Sequence, residues 1–322
     1  MNRRYLAMLV LLALVWGSSF MFIKVAVRHL DPSTLILGRL CVAALVLALV
    51  VPIVLGAGAT AADLRTHWRW LVIVGIVNTA LPFWLLSWGE TRIDSGLASI
   101  IQASVPIFNA VIAYAFFHEE RVTGRRLLGV AIGFVGVALL VGAQPSGKLL
   151  GALAVVGMAL CYATGGLLAK RHLAGATPQV VALGTSAVAA AIALPAGVAQ
   201  APDHFPGWAA IGSVVVLGVV GTAFAYLLFF TINAGAGPAY ASLVTYLVPP
   251  VALAYGAIFL DESFGVAAFA GLSLILAGVA LGSRLPRRRA SDRHAAADGI
   301  VGHPPPRDGA RRRLARSPLR AR

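Results

Sequence analysis

The chain has 322 residues, of which 59% are hydrophobic and only 12% are charged, and its mean hydropathy is +0.85. A soluble globular domain carries roughly 25% charged residues, and the exposed helix faces of a water-soluble bundle need polar residues at helical period. This composition therefore disfavours a soluble protein. Much of the net charge of +14 lies in residues 284–322, which hold twelve Arg and three Asp, and such a segment is expected to be disordered and to contact anionic lipids rather than nucleic acid.

Apolar runs recur along the whole chain, and each is long enough to cross a bilayer, which takes about 20 residues at 1.5 Å per residue. Turn residues separate the runs by short connectors, and the link at 56–68 is the longest. The predicted spans are 5–24, 33–55, 69–89, 95–117, 125–142, 149–169, 179–200, 208–231, 238–260 and 265–283. The sequence predicts an all-α membrane protein with ten transmembrane helices.

Basic residues in the connectors predict the orientation, because short cytoplasmic loops are enriched in Lys and Arg. With the N-terminus inside, most of these residues fall in inner segments, including Arg3, Arg125 and the cluster at 284–289. The outer segments hold Lys24, Arg28, Arg92 and Lys148. We expect both termini to be cytoplasmic, and the composition rich in Ala and Arg suggests a bacterial inner (plasma) membrane.

The two halves of the chain match each other at a nearly constant offset. The matched pairs include Lys24 with Lys170 at an offset of 146, and Thr79 with Thr222, Pro106 with Pro249, and Glu119 with Glu262 at an offset of 143. Each half has five spans, and an odd number turns the second copy upside down. We therefore predict two inverted five-helix repeats, 1–143 and 144–283, followed by the tail 284–322. Such repeats are typical of alternating-access transporters that bind substrate between the halves.

Several short motifs stand in register on this framework. They are Trp16-Gly17-Ser18-Ser19-Phe20 with Lys24, Asp31-Pro32 with Arg39, Pro106 with Glu119-Glu120, Pro249 with Asp261-Glu262, and Gly271 with Ala277-Gly278-Val279. With these motifs the chain resembles the EamA-type members of the drug/metabolite transporter superfamily over roughly residues 5–283. The resemblance implies a ten-helix permease that exports amino acids or other metabolites. Related four-helix multidrug exporters use a glutamate of the first helix to exchange protons, and this chain has no acid between Met1 and Leu30.

Polar and aromatic side chains inside the spans are candidates for a substrate pathway, because the bilayer penalises unpaired polar groups. The predicted pathway residues are Trp16, Ser18, Lys24, Arg39, Asn78, Thr79, Trp84, Gln102, Tyr162, Thr222, Tyr226 and Tyr246. The same side chains can instead join helices by hydrogen bonds. Arg39 lies about six residues, roughly 9 Å, into the second span, where it either faces the pathway or snorkels to the interface. Lys24 and Lys170 either anchor the helix at the surface or meet an anionic substrate.

Two prolines and two glutamates related by the repeat are the predicted hinge or gate. Pro106 and Pro249 each remove a backbone hydrogen bond inside a span, which predicts a kink. Glu119 and Glu262 end the fourth and ninth spans, where they either gate the pathway or favour the N-terminus of the next helix.

Glycines recur along one face of the fifth and tenth spans, and small residues allow helices to approach closely. They are Gly129, Gly133, Gly136, Gly271 and Gly278. They predict close packing of two helices, with a dimer face as the alternative, so that the protein is a monomer or a homodimer.

The sequence lacks the patterns of a membrane enzyme, of a metal site or of a cofactor site. It has no H-E-x-x-H or Gly-x-Ser-x-Gly motif, and its histidines fall at span edges or in loops. A channel would need a ring of like residues around its pore, whereas the polar residues here are scattered. We predict an alternating-access exporter of a small metabolite such as an amino acid or organic acid. The alternatives are a multidrug exporter of lipophilic cations and a small-solute channel, and the basic embedded residues Lys24 and Arg39 favour a substrate with a carboxylate.

Overall fold

The computed structural model describes residues 3–116, 125–142 and 146–283, and every regular element within them is a helix, which confirms the prediction of an all-α protein. The predicted tail 284–322 and Glu119 lie outside the described residues. In chain order the α-helices are α1 (Arg3–Ala26), α2 (Pro32–Leu55), α3 (Ala57–Gly75), α4 (Leu81–Glu90), α5 (Ser95–Gln102), α6 (Val105–Phe116), α7 (Arg125–Gly142), α8 (Ser146–His172), α9 (Pro178–Ala199), α10 (Trp208–Gly218), α11 (Ala225–Ala236), α12 (Pro238–Ala241), α13 (Val244–Phe259) and α14 (Val266–Ser283). Two π-helical segments, π1 (Ile76–Ala80) and π2 (Val219–Phe224), join α3 to α4 and α10 to α11.

Seven helical stretches of the described chain are long and apolar enough to cross a membrane. They are Arg3–Ala26, Pro32–Leu55, Ala57–Glu90, Ser95–Ala115, Lys148–His172, Pro178–Ala199 and Trp208–Ala236. Three apolar helices are shorter, namely Leu127–Gly142, Val244–Phe259 and Val266–Leu281. The protein is therefore a multi-pass membrane protein, and the number of ten crossings stays a prediction.

Helices start at the turn residues that the sequence marks as connectors. Proline is the first residue of α2 and of α9, where its missing N–H costs nothing. Asp31 caps α2, because its Oδ1 accepts a 2.9 Å hydrogen bond from the Ser33 amide. Gly56, with φ of 87°, is the single residue between α2 and α3.

The prediction of a loop at 56–68 is wrong, because residues from Ala57 onward form α3. The first turns of α3 are rich in alanine, which has the highest helix propensity. Asp63 in this segment contacts a distant part of the protein, because its Oδ2 accepts a 2.8 Å hydrogen bond from the Thr177 amide. Its Oδ1 lies 2.7 Å from Nδ1 of His67, one turn further along the same helix. The bond from the Thr177 amide fastens α3 to the start of α9.

The two π-helical segments occupy matching places in the two halves of the chain. π1 starts at Ile76 and π2 at Val219, so that their offset is 143 residues, which is the offset of the predicted repeat in this region. A π-helical turn accommodates an extra residue and opens the helix locally. Both segments lie in the middle of long apolar helices, where they change which side chains face the interior.

The fourth and ninth predicted spans are each interrupted, at non-equivalent positions. α5 and α6 are separated at Ala103 and Ser104, and Pro106 is the second residue of α6. α12 and α13 are separated near the start of the ninth span, and Pro249 lies buried inside α13. The hinge role of the two prolines stays a prediction, and the helix breaks beside them are not symmetric.

Glycines bring α7 and α14 into close contact. A Cβ atom built at Gly278 would lie 2.5 Å from the Gly129 carbonyl oxygen, and one built at Gly136 would lie 2.9 Å from that of Gly271. This confirms the predicted close helix packing within one chain. Other helix faces carry large exposed apolar side chains such as Ile53, which suits contact with lipid tails.

Candidate functional site

A cavity of about 370 Å³ lies between the long helices. Ligand pockets in proteins range from roughly 300 to 1,000 Å³, so this one matches a small metabolite. Six of the predicted pathway residues line it, namely Trp16, Arg39, Asn78, Gln102, Tyr162 and Tyr226.

Most of the cavity wall consists of pairs of residues related by the predicted repeat. The lining pairs are Trp16 with Tyr162 at an offset of 146, and Asn78 with Gly221, Phe83 with Tyr226, Leu86 with Phe229, and Gln102 with Thr245 at an offset of 143. The cavity is therefore built by equivalent parts of both halves, as expected for a site between two repeats.

Arg39 breaks this symmetry, because its partner at an offset of 146 is the neutral Thr185. The Arg39 side chain is 6% exposed, and its Nε donates a 3.0 Å hydrogen bond to Thr222 Oγ1. Its guanidinium carbon lies 4.1 Å from the centre of the Phe83 ring, which is a cation–π contact. Arg39 thus points into the protein interior and does not snorkel to the interface.

Thr222 is held in position by π2. Its hydroxyl donates a 2.8 Å hydrogen bond to the Leu217 carbonyl, a partner five residues earlier in the chain. The hydroxyl proton is thereby used, and the oxygen can only accept from Arg39. The π-helical turn therefore presents an oxygen acceptor to the guanidinium. Thr79, the repeat partner of Thr222, is buried in π1 and is not among the lining residues.

Aromatic rings form much of the remaining wall. The rings of Trp16 and Phe229, which both line the cavity, lie 5.6 Å apart between centres at an interplanar angle of 36°. Tyr162 and Tyr226 lie close enough to Arg39 to interact with it electrostatically. The cavity thus combines one cationic group with hydroxyl, amide and aromatic surfaces, which suits binding of a small amphipathic molecule.

Five predicted pathway residues do not line the cavity, and Thr222 reaches it only through Arg39. The five are Ser18, Lys24, Thr79, Trp84 and Tyr246. The Ser18 hydroxyl donates to the Val15 carbonyl in its own helix at 2.9 Å, and the neighbouring Ser19 lines the cavity instead. Trp84 Nε1 donates to Ser33 Oγ at 3.2 Å, so it joins two helices. A pathway role for these five residues stays a prediction.

Lys24 joins α1 to the end of α4 and the residues that follow it, at an end of the helix bundle here named the Lys24 end. Its ammonium donates 2.7 Å hydrogen bonds to the backbone carbonyls of Glu90 and Ile93, at the C-terminus of α4. A cation is favourable there because the last carbonyls of a helix are unsatisfied. Its repeat partner Lys170, at the end of α8, is exposed. The two lysines, although related by the repeat, have different environments in this structure.

Glu262 also lies at the Lys24 end, and it caps a helix other than the predicted one. The sequence pointed to the helix that follows it in the chain, but the structure corrects this partner to α5. Glu262 accepts hydrogen bonds from the Ser95 amide at 2.8 Å, the Ser95 hydroxyl at 2.9 Å and the Gly96 amide at 3.1 Å. Amide groups at a helix N-terminus favour a carboxylate, and Glu262 thereby fastens the α13–α14 connection to α5.

Sequence reasoning missed several lining residues because they are apolar or small within apolar spans. Phe83 and Phe229 are examples, and the repeat offset was the signal that could have found Phe83, since it pairs with Tyr226. Sequence reasoning also did not single out Glu90. This residue does not line the cavity, and its complete burial is visible only in the structure.

Among the described residues, no group of three or more His, Cys, Asp or Glu side chains is arranged to hold a metal ion. The helical fold with apolar spans and a cavity walled by both halves of the chain is that of a polytopic membrane protein. The chain belongs to the EamA-like transporter family, whose model matches it twice, at residues 3–142 and 149–284. It is therefore a membrane transporter and not an enzyme.

Relatives over most of the chain have transporter names. An "Uncharacterized transporter" of Archaeoglobus fulgidus is 30% identical over 277 residues, covering 82% of this chain and 93% of the relative. A "Probable terminal-alkyne amino-acid exporter" of Streptantibioticus cattleyicolor is 32% identical over 292 residues, covering 87% and 94%. A "Probable amino-acid metabolite efflux pump" of Escherichia coli is 25% identical over 292 residues, with the same coverage.

A solved crystal structure matches the fold with a TM-score of 0.64. It is 18% identical in sequence, and the match covers 89% of this chain and all of that one. At this identity the likeness supports the fold alone.

Proposed function

We propose that the protein exports a small metabolite with a carboxylate, such as an amino acid, and that Arg39 binds the carboxylate in the central cavity. The observation that carries this proposal is a buried guanidinium with neutral partners at the wall of a metabolite-sized cavity. Two of the relatives described above have names that contain amino-acid export or efflux, which supports the same substrate class.

Arg39 has room for an anionic ligand. The guanidinium carries five N–H donors, and within the described residues its hydrogen bond is the one from Nε to Thr222. No Asp or Glu among the described residues forms an ion pair with it. A buried cation without a counter-ion is costly, and a carboxylate bound by the two terminal nitrogens would supply one in bidentate geometry.

The other residues of the cavity wall can contact the parts of such a substrate that lie beyond its carboxylate. Trp16 and Phe229 offer apolar faces for an aliphatic or aromatic side chain, while Gln102 and Asn78 offer hydrogen-bonding groups for an amine. A lipophilic cation would fit the aromatic surfaces, but the positive charge of Arg39 opposes it. This electrostatic term favours a carboxylate over the multidrug alternative.

We infer that transport proceeds by alternating access between two inverted halves, 1–143 and 144–283. Support comes from the double family match, from the offset of 143 between π1 and π2, and from the repeat-related pairs in the cavity wall. The bias of basic residues predicts cytoplasmic termini in a bacterial inner membrane, with the Lys24 end outside and the tail beside anionic lipids.

The test compares ligands that differ only in the carboxylate. Purified protein is screened by thermal shift with L-phenylalanine, L-phenylalaninamide, phenylethylamine and tetraphenylphosphonium, and with the corresponding leucine series. A ligand that binds only the folded form raises the melting temperature by mass action. We expect shifts with the acids and none with the amide or the amine.

Arg39→Gln is the variant that tests the carboxylate site, and Arg92→Gln is its control. Arg92 does not line the cavity: its guanidinium donates hydrogen bonds to the Trp88 carbonyl and the Thr91 hydroxyl and lies over the Trp88 ring. Loss of a hydrogen bond to a charged group costs about 1.5–3 kcal/mol, which is roughly a tenfold or larger loss of affinity. Equal binding of acid and amide, or full affinity in Arg39→Gln, would contradict the proposal. A shift with tetraphenylphosphonium alone would support the multidrug alternative.

A further inference from the structure

The Glu90 side chain is completely buried at the end of α4 and has no hydrogen-bonding partner. Its exposure is 0%, and neither Oε1 nor Oε2 has a donor within the part of the chain that the structure describes. Burial of an isolated ionised carboxylate is among the most expensive events in a protein interior. A buried group of this kind requires an explanation.

Glu262 provides an internal comparison, because it lies at the same end of the bundle. Its carboxylate accepts three hydrogen bonds from Ser95 and Gly96. The fold therefore supplies donors to a carboxylate where one has a structural role. Glu90 receives none, although an apolar residue of similar size would fill its place without cost.

Three charged groups face Glu90 from the elements packed against it: Lys24 on α1, Arg39 on α2 and Glu262 after α13. The Lys24 ammonium is bonded to the backbone carbonyls of Glu90 and Ile93 rather than to the carboxylate. Arg39 is bonded to Thr222, and Glu262 is itself an acid that opposes a second negative charge. The Lys148–Asp94 pair, 3.6 Å apart, is partly exposed at the rim.

We propose that Glu90 is a proton-binding site of this transporter, occupied when the Lys24 end is closed and emptied when that end opens. In the closed form, in which Glu90 is buried from water as it is here, the carboxyl is neutral and carries its proton on one oxygen. When α1 separates from α4, water reaches the group, the O–H bond breaks, and the proton passes to water, leaving a hydrated carboxylate that Lys24 can pair with. Closing the Lys24 end takes one proton back from water.

This inference concerns transport and so rests on the family assignment, but it is independent of which substrate Arg39 binds. The linkage has a definite sign: because the closed form binds one more proton than the open form, acid pH favours the closed Lys24 end and alkaline pH favours the open one. Glu90 is the last residue of the helical stretch Ala57–Glu90 and directly follows the third predicted span, 69–89, unlike the first-helix acid of the four-helix exporters.

The first test is infrared difference spectroscopy of the purified full-length protein between acid and alkaline pH. We expect the C=O band of a protonated carboxyl to be present from acid to neutral pH, to disappear at alkaline pH, and to be absent from Glu90→Gln. It should persist in Asp94→Asn, a matched acid-to-amide change at the partly exposed rim. Absence of the band from the wild type, or an unchanged band in Glu90→Gln, would overturn the proposal.

The second test measures opening directly. Ile93 is fully buried at the Lys24 end, and Ile93→Cys in a background with Cys41 and Cys161 replaced by Ala gives one reporter thiol. The rate of labelling by a membrane-impermeant maleimide should rise more steeply with pH in the protein that keeps Glu90 than in Glu90→Gln. The thiol itself ionises with pH in both proteins, so the comparison removes that contribution. Identical pH profiles of labelling with and without Glu90 would contradict the proposal.

If Glu90→Gln does not fold, wild-type protein containing ¹³C-glutamate replaces it. A neutral-pH band that moves on labelling supports the proposal, and a band that stays in place refutes it. Neither measurement uses a substrate, so failure of the amino-acid proposal would leave these results interpretable on their own.

Discussion

Arg39 and Thr222 are 183 residues apart in sequence, and Arg39 Nε donates a 3.0 Å hydrogen bond to Thr222 Oγ1 in the buried interior. This bond joins α2 of the first half to π2 of the second half. Because Thr222 is a neutral acceptor, the bond orients the guanidinium of Arg39 in the cavity wall without neutralising its charge, and the charge can therefore attract a ligand.

Thr222→Val is expected to destabilise the protein, because it keeps the shape of the side chain but removes the acceptor for Arg39. An unsatisfied buried donor costs about 1–3 kcal/mol. Thr222→Ser keeps the hydroxyl and serves as the control. The apparent melting temperature in detergent should fall in the Val variant and remain near the wild-type value in the Ser variant; equal values would show that the bond contributes nothing measurable.

Lys24→Gln is expected to loosen the Lys24 end, because it removes the cation that bonds the Glu90 and Ile93 carbonyls. Hydrogen bonds to charged groups contribute about 1.5–3 kcal/mol. Lys170→Gln, at the exposed repeat partner, is the matched control. Hydrogen exchange of the segment 88–98 should speed up in the first variant only, and an equal response in both would contradict the asymmetry of the two lysines.

Glu262→Gln is expected to weaken the attachment of the α13–α14 connection to α5. The Gln oxygen can replace only one of the two carboxylate oxygens, so its NH₂ faces either the Ser95 amide or the Gly96 amide, donor against donor. Loss of a helix cap costs roughly 0.5–2 kcal/mol. Asp261→Asn is the control, since Asp261 has φ of 54° and Asn tolerates this region. A melting temperature that falls in both variants would argue against the cap.

Gly278→Ala is expected to push α14 away from α7, because the new Cβ would meet the Gly129 carbonyl and the Gly133 amide at 2.5 and 2.7 Å. Overpacking of this kind costs about 1–3 kcal/mol. Gly58→Ala in α3 has nothing within 4 Å and should be neutral or slightly stabilising. Thermal unfolding of both variants decides the point, and an unchanged Gly278→Ala protein would show that the two helices adjust without cost.

Hydropathy predicted the membrane helices because lipid-facing surfaces must be apolar whatever the tertiary arrangement. The same signal failed at 57–68, where a polar, charged segment looked like a connector. Helix α3 extends there, and the charged Asp63 finds a partner that is distant in sequence, the Thr177 amide. Alanine-rich composition was a local clue to this helix.

The internal repeat holds information about the cavity that the individual residues do not. Trp16 with Tyr162 and Gln102 with Thr245 line it as repeat-related pairs. Phe83 could have been named from Tyr226 by the same offset. Arg39 could not be placed by the repeat, since Thr185 in the other half carries no charge.

The sequence by itself determined that this chain is a helical membrane protein, because composition and the length of apolar runs are properties of local segments. It also predicted two repeated halves, because the offset between matching residues is read from the linear sequence. Only the tertiary structure decided that Glu262 caps α5, that π2 presents Thr222 to Arg39, and that Glu90 is buried without a donor. Each of these contacts is formed between segments that are distant in sequence. In the bilayer interior, where water cannot act as a partner, the tertiary structure decides whether a polar group has a hydrogen-bonding partner.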